Sequence, residues 1–118
     1  MDLIYLLIIY TFFPQTLAIV SGIIEKEGSE LTACPTLISV RECNFTVLFG
    51  TNFGDIPKVA LSIVGLIDNG ASQYVAFQAT SITNSQFTLN VQMPVPTHVT
   101  RFRISYLAFG ASTKSLIN

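Results

Sequence analysis

From Asn44 to Ala111 apolar and polar residues alternate in short runs, and each run ends at a turn signal. Phe45, Val47 and Phe49 alternate with Asn44, Thr46 and Leu48. A turn at 50–57 follows, then the runs 58–64, 73–79, 86–92 and 101–108. A period of two with one apolar face predicts antiparallel strands, one side on a core and the other toward water or a partner. Asp68-Asn69-Gly70 and Asn84-Ser85 predict turns, and Met93-Pro94-Val95-Pro96-Thr97 predicts a rigid loop in which prolines forbid a regular ladder. Residues 19–36 read as an extended arm with a short first strand at 19–25, since Gly22, Gly28 and Ser29 argue against a helix. The expected fold is all-β: a six-stranded antiparallel β-sandwich over 37–118, preceded by the arm and an N-terminal signal peptide.

The leader is assigned from its own pattern. Leu3 to Phe13 is almost unbroken apolar sequence, followed by Pro14 and a small-residue site ending at Ala18. An apolar segment of about 7–15 residues, then a helix breaker and small residues, is the layout of a secretory signal peptide over 1–18. Asp2 stands where a basic residue is usual. The rival reading is an uncleaved anchor, but the run is short of the roughly 20 residues a span requires, and Pro14 interrupts it. The expected compartment is extracellular, with no membrane span once the leader is removed.

Charge and cysteines change the picture in two ways. The 118 residues hold 6 basic and 7 acidic side chains, and loss of Asp2 leaves equal numbers. A near-neutral surface offers no footprint for nucleic acid or anionic lipid. Acids gather early (Glu25, Glu27, Glu30, Glu42) and bases late (Arg101, Arg103, Lys114), so they can pair within the fold or between subunits. Arg101 and Arg103 share a strand face and can instead guard an edge. Cys34 and Cys43 flank a strand-like stretch, and in an oxidising compartment they are expected to form one bridge; bridging between chains is the alternative. Closing such a loop is worth about 2.5–3 kcal/mol on the chain-entropy account. Asn44-Phe45-Thr46 is a glycosylation sequon, and parity puts Asn44 opposite the Phe45 face, outward and available.

The order of elements carries a resemblance. A phenylalanine-bearing strand leads to Pro57-Lys58-Val59-x-Leu61-x-Ile63, then Asp68 in a turn, then Ser81-Ile82-Thr83-Asn84-Ser85-Gln86-Phe87-x-Leu89-x-Val91. A closing Phe102-x-Ile104-x-Tyr106-Leu107-Ala108-Phe109-Gly110 completes the set. Over roughly 41–111 this resembles the H-type lectin domain of snail agglutinins and discoidins, with Tyr106 where that family usually has tryptophan. The resemblance implies a six-stranded sandwich that binds galactose or N-acetylgalactosamine on glycans or glycoproteins. It also implies homo-oligomers, trimers or hexamers, with sugar sites at subunit boundaries. The family's sugar-binding arginine falls at Tyr74 and its aromatic–polar pair near Pro94-Val95, so those contacts do not carry over. Tyr74 and Gln92 are the site candidates that remain beside those positions.

Tyr74, Gln78, Thr88, Asn90 and Gln92 are expected to face water, and their amides, hydroxyls and ring suit a sugar; the same residue types also make an ordinary solvated sheet. His98, in the proline-rich loop, can contact a ligand or titrate near neutrality, and a lone loop histidine is also commonly just solvated. Asp55 and Asp68 have turn chemistry as a sufficient role, and neither loop offers enough oxygens for calcium. The one histidine has no evident nucleophile or carboxylate partner, and no serine sits in a Gly-x-Ser-x-Gly elbow. No enzyme, metal or cofactor is expected. Two readings follow: a secreted, non-catalytic carbohydrate-binding protein acting through multivalent sites, or a structural, self-assembling matrix or adhesion protein that keeps the fold without sugar binding.

Overall fold

The computed structural model describes residues 15–37, 40–68, 75–94 and 99–115. In chain order these form β1 (Gln15–Glu27), α1 (Ser29–Thr32), β2 (Thr36–Leu37), β3 (Val40–Leu48), β4 (Lys58–Asp68), β5 (Ala76–Thr80), β6 (Gln86–Pro94) and β7 (Val99–Ser115). They assemble as two antiparallel sheets, ordered β1-β7-β4 and β2-β3-β6-β5. Six strands are of substantial length and β2 is a two-residue rung on β3. The alternating code sets the layers. Phe102, Ile104, Tyr106 and Ala108 of β7 and Phe87, Leu89, Val91 and Met93 of β6 are all buried, while Arg103 and Leu107 between them are exposed. Rings from the two sheets meet inside: Phe102 lies edge-on to Phe77 at 5.2 Å and 6.2 Å from Phe45. Burying one such side chain contributes about 1.5–3 kcal/mol.

The first strand is longer than the short segment expected at 19–25. It begins at Gln15 and pairs with β7 along nearly its whole length, from Gln15 opposite Ser115 to Glu27 opposite Arg101. Residues 1–14 of the expected leader lie outside the described residues; its last four form the first rungs of β1. Gly22 is required here, because Tyr106 on the facing strand lays its ring over it: an added Cβ would come within 2.7–2.9 Å of the ring and hydroxyl. Tyr106 is itself buried, at 5.4 Å edge-to-face from Phe87.

A helix, not expected after the leader, follows β1. Gly28 adopts φ 59°, which glycine does without strain, and one short helical turn starts at Ser29. Tertiary contacts hold it. Leu31 is fully buried, Cys34 and Cys43 are joined by a disulfide, and Arg41 donates from one guanidinium nitrogen to the carbonyls of Thr32 and Cys34. At the opposite end the 49–57 loop folds across β7: the Gly54 amide donates to the Ala111 carbonyl at 2.8 Å, and Phe53 is buried edge-on to Phe49. The Asn84-Ser85 turn joins β5 to β6, fastened by the Thr83 hydroxyl, which accepts from the Ser85 and Gln86 amides. Pro94, expected in a loop, ends β6 opposite Val40.

Candidate functional site

β6 runs between β3 and β5, so the outward positions of the three strands line up in rows. Glu42, Gln92 and Ala76 form one row, Asn44, Asn90 and Gln78 the next, and Thr46, Thr88 and Thr80 a third. The first two rows are tied together. Asn90 Nδ2 donates to Glu42 Oε2 and to Asn44 Oδ1, both at 2.8 Å, and Gln92 Nε2 donates to the same Glu42 oxygen at 3.1 Å. The Asn90 amide holds the Glu42 carboxyl below its ordinary range, and the Gln92 amide adds to the effect. An ionised carboxylate bonded this way is a charge-assisted acceptor. Amides whose NH2 groups are committed to it keep their carbonyl oxygens as acceptors for hydroxyl groups.

Gln92 and Gln78 are exposed as expected, but Asn90 is not. It points outward from the middle strand and is only 8 % accessible, because Glu42 and Asn44 bond to it from the neighbouring strand. Asn44 is exposed on this same face, with Phe45 half-buried on the core side. Tyr74 and His98 lie outside the described residues, so of the three candidate binding residues the structure describes Gln92 alone. No aromatic ring stands on this face among the described residues. Glu42 was the member missed by sequence reasoning. Its parity matches Asn44, but nothing local encodes its pairing with a strand some 50 residues on.

The outer face of the other sheet has a different character. At one end Arg101 bonds Glu25 and lies 3.8 Å from Glu27, and Arg103 lies 3.5 Å from Glu25. Both arginines sit on the middle strand of their sheet, so the edge-guarding role does not apply and their partners are in the same chain. At the other end Leu17, Ile19, Ile23, Leu107 and Phe109 are exposed, with Ile19 directly opposite Phe109. Among the described residues no cluster of His, Cys, Asp and Glu could hold a metal, and no helix is long and apolar enough to cross a membrane.

Comparison with known proteins concerns the family and the fold. The H-type lectin domain matches residues 44–109, which include Asn44, Gln78, Asn90 and Gln92. Two structures of discoidin II from Dictyostelium discoideum, a native structure of the recombinant protein and one of the wild type, match with a TM-score of 0.68 and 19% identity. Each match covers 82% of this chain and 38% of the discoidin II chain, so this chain spans well under half of that protein. At this identity the likeness is one of fold. No curated protein sequence matches the chain.

Proposed function

The chain belongs to the H-type lectin domain family, a family of non-catalytic carbohydrate-binding proteins, and on that premise we propose that it is a secreted lectin whose sugar contacts lie on the outer face of the β3-β6-β5 sheet. The observation that carries this reading is the Glu42–Asn90–Gln92 network. A carboxylate and two amides are held in fixed relation on an exposed sheet, with directed acceptors for sugar hydroxyls. Tyr74 and His98, which precede β5 and follow β6 in the sequence, complete the proposed site as a stacking ring and a further polar contact. The ligand is a sugar on a glycan or glycoprotein; the galactose or N-acetylgalactosamine class comes from the family resemblance alone, since the family's arginine and aromatic contacts are not matched in this chain. The Cys34–Cys43 disulfide, the apolar leader and the sequon at Asn44 support an extracellular location.

Single shallow sites of this kind bind weakly and become useful when several are displayed together. The exposed apolar end of the β1-β7-β4 sheet supports that display: Ile19 and Ile23, which remain after the leader is removed, are each more than 55% accessible beside Leu107 and Phe109, a patch that water does not favour. In this reading trimers or pairs of trimers associate through this face and leave the polar sheets outward, away from the subunit boundaries where the resemblance implied the sugar sites. The same patch favours a second reading, a self-assembling matrix or adhesion protein that has lost sugar binding, as the substituted arginine and tryptophan positions suggest. A glycan array probed with the processed chain, with light scattering on the same sample, separates the two. Binding to terminal galactosides, abolished in Gln92→Ala, supports the lectin. An assembled oligomer that leaves the array blank supports the second reading, and a monomer that leaves it blank contradicts both.

A further inference from the structure

Asn44 is at once the acceptor of the sequon and a member of the polar face, and the structure joins these two facts. Its Oδ1 accepts a hydrogen bond from Asn90 Nδ2 at 2.8 Å, so its amide is held against the sheet and is not a free stem. Directly across β6 lie Asn90 and then Gln78, and one row along lie Glu42, Gln92 and the small side chain of Ala76. Strands are about 4.8 Å apart and successive outward positions on a strand about 7 Å apart, so a sugar attached to Asn44 begins within one ring's width of Asn90. We propose that Asn44 carries an N-linked glycan whose first sugars lie across Asn90, Gln92 and Gln78, so that the chain's own glycan occupies the binding face and competes with glycans from outside. The proposal rests on the lectin reading for the meaning of that competition, but the contact itself does not.

The chemistry is compatible with the observed bonding. Asn44 Nδ2 attacks C1 of an oligosaccharide carried on a lipid pyrophosphate. The N–C1 bond forms, the C1–oxygen bond to the pyrophosphate breaks, the lipid pyrophosphate leaves and the amide gives one proton to a base. Oδ1 remains a carbonyl, so Asn90 keeps its acceptor. The two carbons of the asparagine side chain act as a very short tether, which places the first sugars over the face at millimolar effective concentration or above, comparable to the dissociation constant of a weak single site. Removing the glycan is then equivalent to removing a competitor.

The test uses the full chain made through a secretory host in three forms: wild type, Thr46→Ala, and wild type trimmed by an endoglycosidase to one sugar. Thr46→Ala destroys the sequon and leaves Asn44 and its bond to Asn90 intact; Thr46→Val, which keeps the β-branched shape, replaces it if folding suffers. Intact mass should give one glycan on the wild type and none on the variant. The unglycosylated form should bind array glycans up to about tenfold more tightly than the untrimmed chain, with the trimmed form, which keeps one sugar, between the two, as expected for stepwise loss of a tethered competitor. The side-chain amide signals of Asn90 and Gln92 should shift between the glycosylated and unglycosylated forms. An unmodified Asn44, or Asn90 and Gln92 signals that ignore the glycan, overturns the proposal. If every form leaves the array blank while those signals move, the intramolecular contact stands and the lectin reading falls.

Discussion

Asn90 commits its amide nitrogen to two acceptors, Glu42 and Asn44, in the middle of an outward sheet face. Replacing it with alanine removes both bonds and should cost on the order of 1–2 kcal/mol in urea unfolding. The Glu42 carboxyl reports the same network. Its folded pKa lies below the ordinary 4.5, first because of Asn90 and then Gln92. The bonding therefore contributes fully above that ordinary value and is lost as pH falls through the lower folded one. A carbon-detected titration should find the Glu42 midpoint below 4.5 in the wild type and closer to it in Asn90→Ala; a wild-type midpoint at or above 4.5 contradicts the network. Gly22 offers a second residue-level test. Gly22→Ala drives a methyl group to 2.7–2.9 Å from the Tyr106 ring, which is buried against Phe87. Overpacking of this kind should cost about 1–3 kcal/mol and alter the near-ultraviolet tyrosine signal.

At the scale of elements, the segment from α1 to β3 shows how much was readable beforehand. Runs such as Phe87-Thr88-Leu89-Asn90-Val91 declare their inward face by parity alone, and β6 buries those apolar positions. The four-residue helix α1 was not readable, because Gly28-Ser29 marks a turn and so short a helix has no stability of its own. Long-range contacts make it: Leu31 in the core, the disulfide and the Arg41 clamp on two carbonyls. The candidate site divides the same way. Gln92 was legible as an outward polar residue beside the family's site, whereas the Glu42–Asn90 bond depends on a register between distant strands that no local pattern contains. The covalent link is testable at this scale. The double variant Cys34→Ala/Cys43→Ala should lose about 2.5–3 kcal/mol of unfolding free energy. An unchanged denaturation midpoint would show that burial of Leu31 suffices to hold the segment.

Across the whole molecule the two sheets present unlike outer surfaces, one of amides, hydroxyls and a carboxylate, the other with exposed apolar side chains along its length and an Arg–Glu cluster at one end. In the proposed reading, association through the β1-β7-β4 sheet would leave the polar sheets outward, the geometry a multivalent binder needs. β7 stands between β1 and β4 for most of its 17 residues and supplies Phe102, Ile104, Tyr106 and Ala108 to the interior. Alternate amides of β7 donate to β1 and to β4, so exposing all of its central amides requires both neighbours to separate from it. In deuterium uptake followed by mass spectrometry, peptides from 102–108 should be the last to gain mass. Uptake there as early as in the flanking β1 and β4 would mean that the sandwich comes apart in pieces, with no lasting spine.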